Sequence, residues 1–273
     1  MRTRLLILVK TYPTLSNKYD ELVCTAGMKE DGTWVRIYPI PFRKLDYDQK
    51  YKKYQWIELD LIKNTADHRP ESYRPVDFDA MTLGDSIGTE KGFWRTRKAV
   101  VLKRKPYTNM NALITEAQDA STGTSLAVFK PTKINDFIFE DVEREWDPAK
   151  LKKIEERAKQ LNLFKKAENP FKVVNKLPYR FSYVFEDDED KKSTLMIEDW
   201  EIGQLYWNVL AKHEGDEEKA REDVRKKYFE DFAKTKDLYF FLGTTKQFHS
   251  WSKNPFIIIV VFYPKADHQL LLF

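Results

Sequence analysis

A single cysteine, Cys24, stands in a chain of 273 residues, so no intramolecular disulfide can form and a bridged secreted framework is excluded. Histidine is nearly as scarce. His68, His213, His249 and His268 lie scattered, without the paired spacing that structural zinc sites use. Long hydrophobic runs are missing as well. The longest, Phe256 to Phe262, is far below the ~20 residues needed to cross a bilayer, and its isoleucine and valine content reads as a buried strand. At the amino terminus only Leu5 to Val9 separate Arg4 from Lys10, fewer than the roughly 7 to 15 apolar residues of a signal peptide. A cytoplasmic location without membrane association is the expectation. No Gly-x-Gly-x-x-Gly, Gly-x-Ser-x-Gly or His-Glu-x-x-His occurs, which removes the motif grounds for dinucleotide, serine-hydrolase or metalloprotease chemistry. There is no internal repeat.

What is present suffices for a core. Hydrophobic residues make up 42% and aromatics 14% of the chain, a composition that excludes disorder of the whole. The net charge is +4, and it is unevenly placed. Through Phe137 there are 23 Lys and Arg against 17 Asp and Glu, and beyond it 24 against 26. Basicity is confined to the first half.

The first half reads as strands and loops. Leu5 to Lys10 is a strand that Tyr12-Pro13 breaks. Leu22 to Met28 and Thr33 to Tyr38 flank Asp31-Gly32, which predicts a hairpin with a two-residue type I′ loop. Trp56 to Ile62 and Ala99 to Lys103 follow as strands, with a long Pro- and Gly-punctuated loop between Arg69 and Gly92. Ser125 to Phe129 and Ile134 to Phe139 add two more. In the second half Asp147-Pro148 starts a helix, Tyr179 to Phe185 and Thr194 to Ile197 form a strand pair, and helices begin near Asp199 and Asp216. The strands Leu238 to Leu242 and Phe256 to Phe262 close the chain. The pattern predicts an α+β fold. Residues 1–137 form a basic β-rich half, a small barrel or bent antiparallel sheet, and residues 138–273 a scaffold or partner-docking half with three helices and further strands, the two being either separate or one elaborated domain.

Several constellations carry chemistry. A two-residue hairpin loop pairs Lys29 with Trp34, Gly27 with Arg36 and Thr25 with Tyr38, and puts Cys24, Ala26 and Met28 with Val35 and Ile37 on an apolar face. Trp34, Arg36 and Tyr38 then flank open space in which rings stack and a guanidinium pins a base or another planar anion. The other reading packs the rings beneath a helix and pairs Arg36 with a carboxylate. The stretch from Arg43 to Trp56, including Lys52 and Lys53, and the cluster Arg95, Arg97 and Lys98, continuing to Lys103-Arg104-Lys105, interleave cations with rings as nucleic-acid surfaces do. Arg69 and Arg74, between prolines, suit phosphate recognition.

Glu58 and Asp60 share one strand face near Lys63, a weak catalytic set that would hold magnesium. Glu198-Asp199-Trp200-Glu201 reads as helix capping. Gly243-Thr244-Thr245, with Lys246 and His249 beside it, is either a turn or a small anion cradle. Cys24 reads as inert.

A basic, aromatic-studded small barrel resembles PUA-like and OB-like nucleic-acid binders in composition and expected fold, without sharing a motif with them. The leading expectation is therefore a protein that binds nucleic acid, DNA or RNA, engaging a single strand, an end or an extruded base without a cofactor, with a possible protein partner on the second half. The alternatives are a magnesium-dependent nuclease or phosphoesterase and a structural subunit of a larger assembly.

Overall fold

Ile57, Leu59 and Leu61 alternate with less buried residues, whereas Leu5 to Val9 form an unbroken buried apolar run, and the fold satisfies both patterns by closing the strands into a barrel with one outer face covered. A computed structural model describes residues 2–16, 20–45, 49–164 and 173–266. The strands are β1 (Arg2–Lys10), β2 (Thr14–Ser16), β3 (Asp20–Met28), β4 (Trp34–Ile40), β5 (Gln55–Lys63), β6 (Ser72–Pro75) and β7 (Thr82–Ser86). Pairing runs β1-β3-β4-β6-β5 and returns from β5 to β1, which closes five strands. Only the β4–β6 pair in that circuit is parallel. Closure leaves no free edge among the five, while β2 extends β3 and β7 extends β5. Leu5, Ile7, Val23, Val35, Ile37, Ile57, Leu59 and Leu61 fill the interior.

The Asp31-Gly32 hairpin forms, with a register one residue away from the expected one. Gly32, at φ 80°, donates its N–H to Lys29 O, and Lys29 donates to Thr33 O. This is a three-residue loop, a type I turn closed by a left-handed glycine bulge. Met28 therefore pairs with Trp34, Gly27 with Val35, Ala26 with Arg36 and Thr25 with Ile37. A one-residue slip exchanges faces. Gly27 and Thr25 turn into the barrel, while Ala26 and Met28 join Trp34 and Arg36 outside it.

Two further corrections concern the segments after β5. The Arg69–Gly92 stretch carries β6 and β7, and Ala99 to Lys103, read as a strand, belongs largely to helix α1 (Arg95–Val101). Its β-branched valines pack Val101 onto the second core, and that tertiary burial outweighs local strand preference.

From Met110 onward, across the expected boundary at residue 137, follow α2 (Met110–Gln118), β8 (Leu126–Phe129), β9 (Lys133–Asp141), α3 (Pro148–Phe164), β10 (Tyr179–Glu186), β11 (Lys192–Met196), α4 (Trp200–Lys212), α5 (Glu217–Arg225), a π-helical continuation (Lys226–Ala233), β12 (Tyr239–Thr244) and β13 (Phe256–Phe262). Helix α2 goes beyond the three expected. Its signals are Asn109, which caps Ala112 N, and buried Met110, Leu113 and Ala117. Asp199 and Asp216 cap α4 and α5 as expected.

The sheet β13-β12-β8 lies between two apolar clusters. Phe241, Ile259, Val260 and Phe262 meet the outer barrel face at Leu6, Leu8, Ala26 and Met28. Phe240, Leu242, Phe256 and Ile258 meet the other sheet, β11-β10-β9, and the helices. Burial on both faces explains why Phe256 to Phe262 shows no polar alternation. No helix among the described residues is long and apolar enough to cross a membrane.

A Cβ at Gly27 would run into the Leu6 carbonyl oxygen, whereas one at Gly88 would meet nothing within 4 Å. We expect Gly27→Ala to lower unfolding stability by about 1–3 kcal/mol or more through overpacking, and Gly88→Ala to change it by less than about 0.5 kcal/mol. Denaturant melts of the two variants check this, and equal stabilities would contradict the register.

Candidate functional site

Strand β4 presents Trp34, Arg36 and Tyr38 on the barrel's outer face, toward β12 and β13. The half-buried Trp34 sets its ring edge against Phe241 at a centroid distance of 5.6 Å. Arg36 is only 1% exposed, and Tyr38 is 37% exposed. The expectation that all three surround one open space is thus corrected, because Arg36 sits as a plug with a ring on either side.

Arg36 donates to Ser125 Oγ at 2.7 Å, Ser125 O at 3.1 Å and Ser72 Oγ at 3.4 Å. Its counter-charge comes through Ser125, which donates from N and Oγ to the two Glu71 carboxylate oxygens at 2.9 and 2.5 Å. A second cation lies alongside. Arg69 donates to Asp67 from Nε at 2.9 Å and Nη2 at 2.6 Å, and from Nη1 to Thr244 O. Ser72 Oγ donates to Asp67 at 2.8 Å, and Thr244 Oγ1 shares a hydrogen bond with His249 Nδ1 at 3.0 Å. Two guanidiniums and two carboxylates are thus interlocked through hydroxyls.

Burial, and then the Arg69 charge, pull Arg36 below its ordinary pKa against Glu71 and Asp67. Burial alone would raise the Asp67 carboxyl, but hydrogen bonds and charge from Arg69, with the Ser72 hydroxyl, hold it well below the usual range.

Beside this network a cavity of about 420 Å³ opens between the barrel and the ends of β12 and β13. Arg36, Arg69 and Asp67 line it, together with Tyr38, Cys24, Asn64, Glu198, Thr244, Thr245 and Lys246. Cys24, a small residue on the cavity wall, leaves room that Gly27 had been expected to leave. Three stretches that sequence analysis singled out separately, Trp34–Tyr38, Arg69–Pro75 and Gly243–Lys246, converge here. Glu198, Asp67 and Asn64 were missed. The Glu198 carboxyl is pushed up by burial; in sequence it was masked by the capping residues after it. Cys24, expected on an apolar face, faces the cavity because of the register.

The basic clusters are largely engaged inside the protein. Arg43 pairs with Glu21 at 2.6 Å. Lys53 lies 3.6 Å from Asp199 and 3.1 Å from Glu201; burial opposes its charge, but these carboxylates outweigh burial and hold it protonated. Arg97 caps the Tyr54 ring at 3.7 Å and donates to Ile87 O, and Lys98 shares Asp237 with Lys130. Arg95, over the Phe93 ring, and Lys52 and Arg74 are exposed. Residues 46–48 of the Arg43–Trp56 stretch, and His268, lie outside the described residues.

Glu58 and Asp60 form loose ion pairs with Arg2 and Arg4 at 3.8 to 4.0 Å. Lys63 donates to Pro70 O and sits over Tyr73. Both carboxylates thus face the arginines of β1, while Lys63 is engaged with the Arg69–Pro75 stretch.

Removing the Arg36 fork would strand Ser125 and Glu71, so Arg36→Ala is expected to cost about 3 kcal/mol or more of stability; a loss below about 1 kcal/mol would contradict the network. The Asp67 contribution is present above the ordinary carboxyl value of 3.8 and is lost as pH falls through it toward the lower folded value. Asp67→Asn should therefore flatten the acid limb of a stability-against-pH curve measured by chemical denaturation.

Comparison with known proteins gives two family matches. Residues 1–103 match a family described as Domain of unknown function (DUF8758), and residues 106–273 one described as Domain of unknown function (DUF8757). No curated protein matches the chain. A solved structure of a murine DNA-binding protein bound to double-stranded DNA aligns over 97% of this chain and 96% of that one, at 11% identity and a TM-score of 0.32, a likeness too low to carry an argument. The second match spans more than half of the 273 residues, and the chain belongs to the family described as Domain of unknown function (DUF8757).

Proposed function

We propose that this protein binds nucleic acid and houses one unstacked base in the cavity between the barrel and the β12–β13 ends. The observation that supports this reading is the meeting of an exposed ring, Tyr38, with fixed polar groups in one recess of about 420 Å³. Small-ligand sites commonly measure about 300–1,000 Å³ and combine apolar walls with a few placed polar groups. A base stacked on an aromatic ring gains about 1–3 kcal/mol. The recess walls are strands and a hydrogen-bonded loop, so little ordering entropy is spent when a base enters.

The backbone of the strand would run past the rim. Lys246 lies there, and the loop it begins carries Trp251, 68% exposed, with Phe248 edge-on at 5.2 Å. Cations for phosphates and rings for neighbouring bases thus follow one another along the same loop. Internal pairing of Arg43, Lys53, Arg97 and Lys98 leaves few cations for phosphates, which implies a modest salt slope. With about three phosphates neutralised, log K would fall by about 2 per tenfold rise in salt for a single strand.

Fluorescence anisotropy tests the reading with a single strand, a duplex carrying one unpaired base and a fully paired duplex, each at two salt concentrations. The first two are expected to bind more tightly than the third. Tyr38→Ala should weaken them by roughly 10- to 100-fold with an unchanged melting temperature. Equal binding of all three probes, or no effect of Tyr38→Ala, would refute it.

A further inference from the structure

The polar groups around the cavity divide into those already committed within the protein and those that are not. Asp67 and Arg69 bond each other, Ser72 and the Thr244 carbonyl. Asn64 donates to Tyr38 O at 3.3 Å and accepts from Ala66 N at 3.3 Å. Glu198 and Thr245 differ. The Glu198 backbone is pinned, donating to Ile258 O at 2.8 Å and accepting from Tyr12 N at 3.0 Å, yet its carboxylate makes no hydrogen bond among the described residues. Thr245 Oγ1 is buried without a partner. Glu198 is half-buried, and its backbone, pinned at both groups beside the Ile197–Ile258 bridge, keeps the side chain at the cavity wall.

A carboxylate offers two acceptor oxygens side by side. Among the common bases only guanine presents two adjacent N–H donors on one edge, at N1 and the 2-amino group, and beside them an acceptor, O6. Adenine and cytosine each pair an amino donor with a ring-nitrogen acceptor, and uracil and thymine carry one N–H between two carbonyls. Glu198 as a double acceptor and the Thr245 hydroxyl as a donor, both on the wall of one cavity, are the group types that complement the guanine edge.

We infer that the cavity is selective for guanine, with Glu198 accepting from N1–H and the 2-amino group, Thr245 donating to O6 and Tyr38 stacking on the ring. This rests on the reading that the cavity houses a base. The two guanidiniums play a different part: they set the wall, Arg36 with three of its five N–H donors occupied by Ser125 and Ser72.

The test uses the full chain and oligothymidine probes carrying one central guanine, hypoxanthine, adenine or cytosine. The guanine probe is expected to bind roughly tenfold or more tightly than adenine or cytosine, as a bidentate base contact provides. Hypoxanthine, which lacks the 2-amino group, should fall between. Glu198→Gln replaces two acceptors by one acceptor and one donor, so it should erase the guanine preference and improve adenine and cytosine relative to guanine, a switch that general destabilisation would not produce. Thr245→Val, which conserves shape, should cost the guanine probe several-fold and leave the adenine probe unchanged.

Equal binding of all probes, still weakened by Tyr38→Ala, would overturn the guanine assignment and leave the base cavity standing. A wild-type preference for adenine or cytosine would also overturn it, by showing that Glu198 acts as a protonated donor-acceptor. Failure of every probe to bind, pure oligothymidine included, would remove the base-cavity reading itself.

Discussion

The fold depends on a requirement of charge balance in a dry place. Arg36 and Arg69 are buried. Although Arg69 carries its own counter-charge in Asp67 on the same loop, the network closes only if separate segments arrive together: β4 with Arg36, the loop with Asp67 and Arg69, β6 with Ser72, the start of β8 with Ser125 and the end of β12 with Thr244. Apolar contact between the barrel and the central sheet supplies attraction but little direction. The hydrogen-bonded charges supply direction. Replacing such a network by well-packed apolar groups often stabilises a protein, so its merit here is registry: it fixes how the sheet sits on the barrel and thereby the width of the recess beside it.

Much of this architecture was legible from local signals. Period-two patterns marked most strands, aspartates marked the starts of α4 and α5, and the unbroken run at Phe256–Phe262 announced a strand covered on both sides. What failed was the length of one loop. Asp31-Gly32 permits two loop lengths, with Gly32 left-handed in both, and they differ at Asp31, which a two-residue type I′ turn would hold at positive φ and which does not take it here. That choice exchanged the faces of Thr25 to Met28 against β4, up to the irregularity between Val23 and Thr25. Arg36 still carried the signal of interest, and its small neighbours proved to be Ala26 and Cys24 instead of Gly27.

The basic and aromatic interleaving was informative in a different way than composition suggested. Cations alternating with rings suit both a surface for phosphates and an interior of ion pairs and guanidinium-capped rings, and sequence order does not separate the two. Lys53 and Lys98 find their carboxylates 146 and 139 residues away, beyond the range of any local pattern. Glu198 was obscured for a related reason, since an acid just before a helix is normally a cap, and the residue that caps α4 is its neighbour Asp199. The recess is therefore a property of long-range assembly from three stretches whose residue types had already stood out.

The sheet β13-β12-β8 bears on how the two matched families relate. One of its faces is finished only by the barrel and the other only by the second-half sheet and helices, so neither segment, released from the other, could hide its apolar surface. The junction between Lys103 and Pro106, where the two family matches meet, thus lies in a chain whose halves share one packed apolar cluster. A cut at that junction would bare the apolar outer face of the barrel on one piece and the matching face of the sheet on the other.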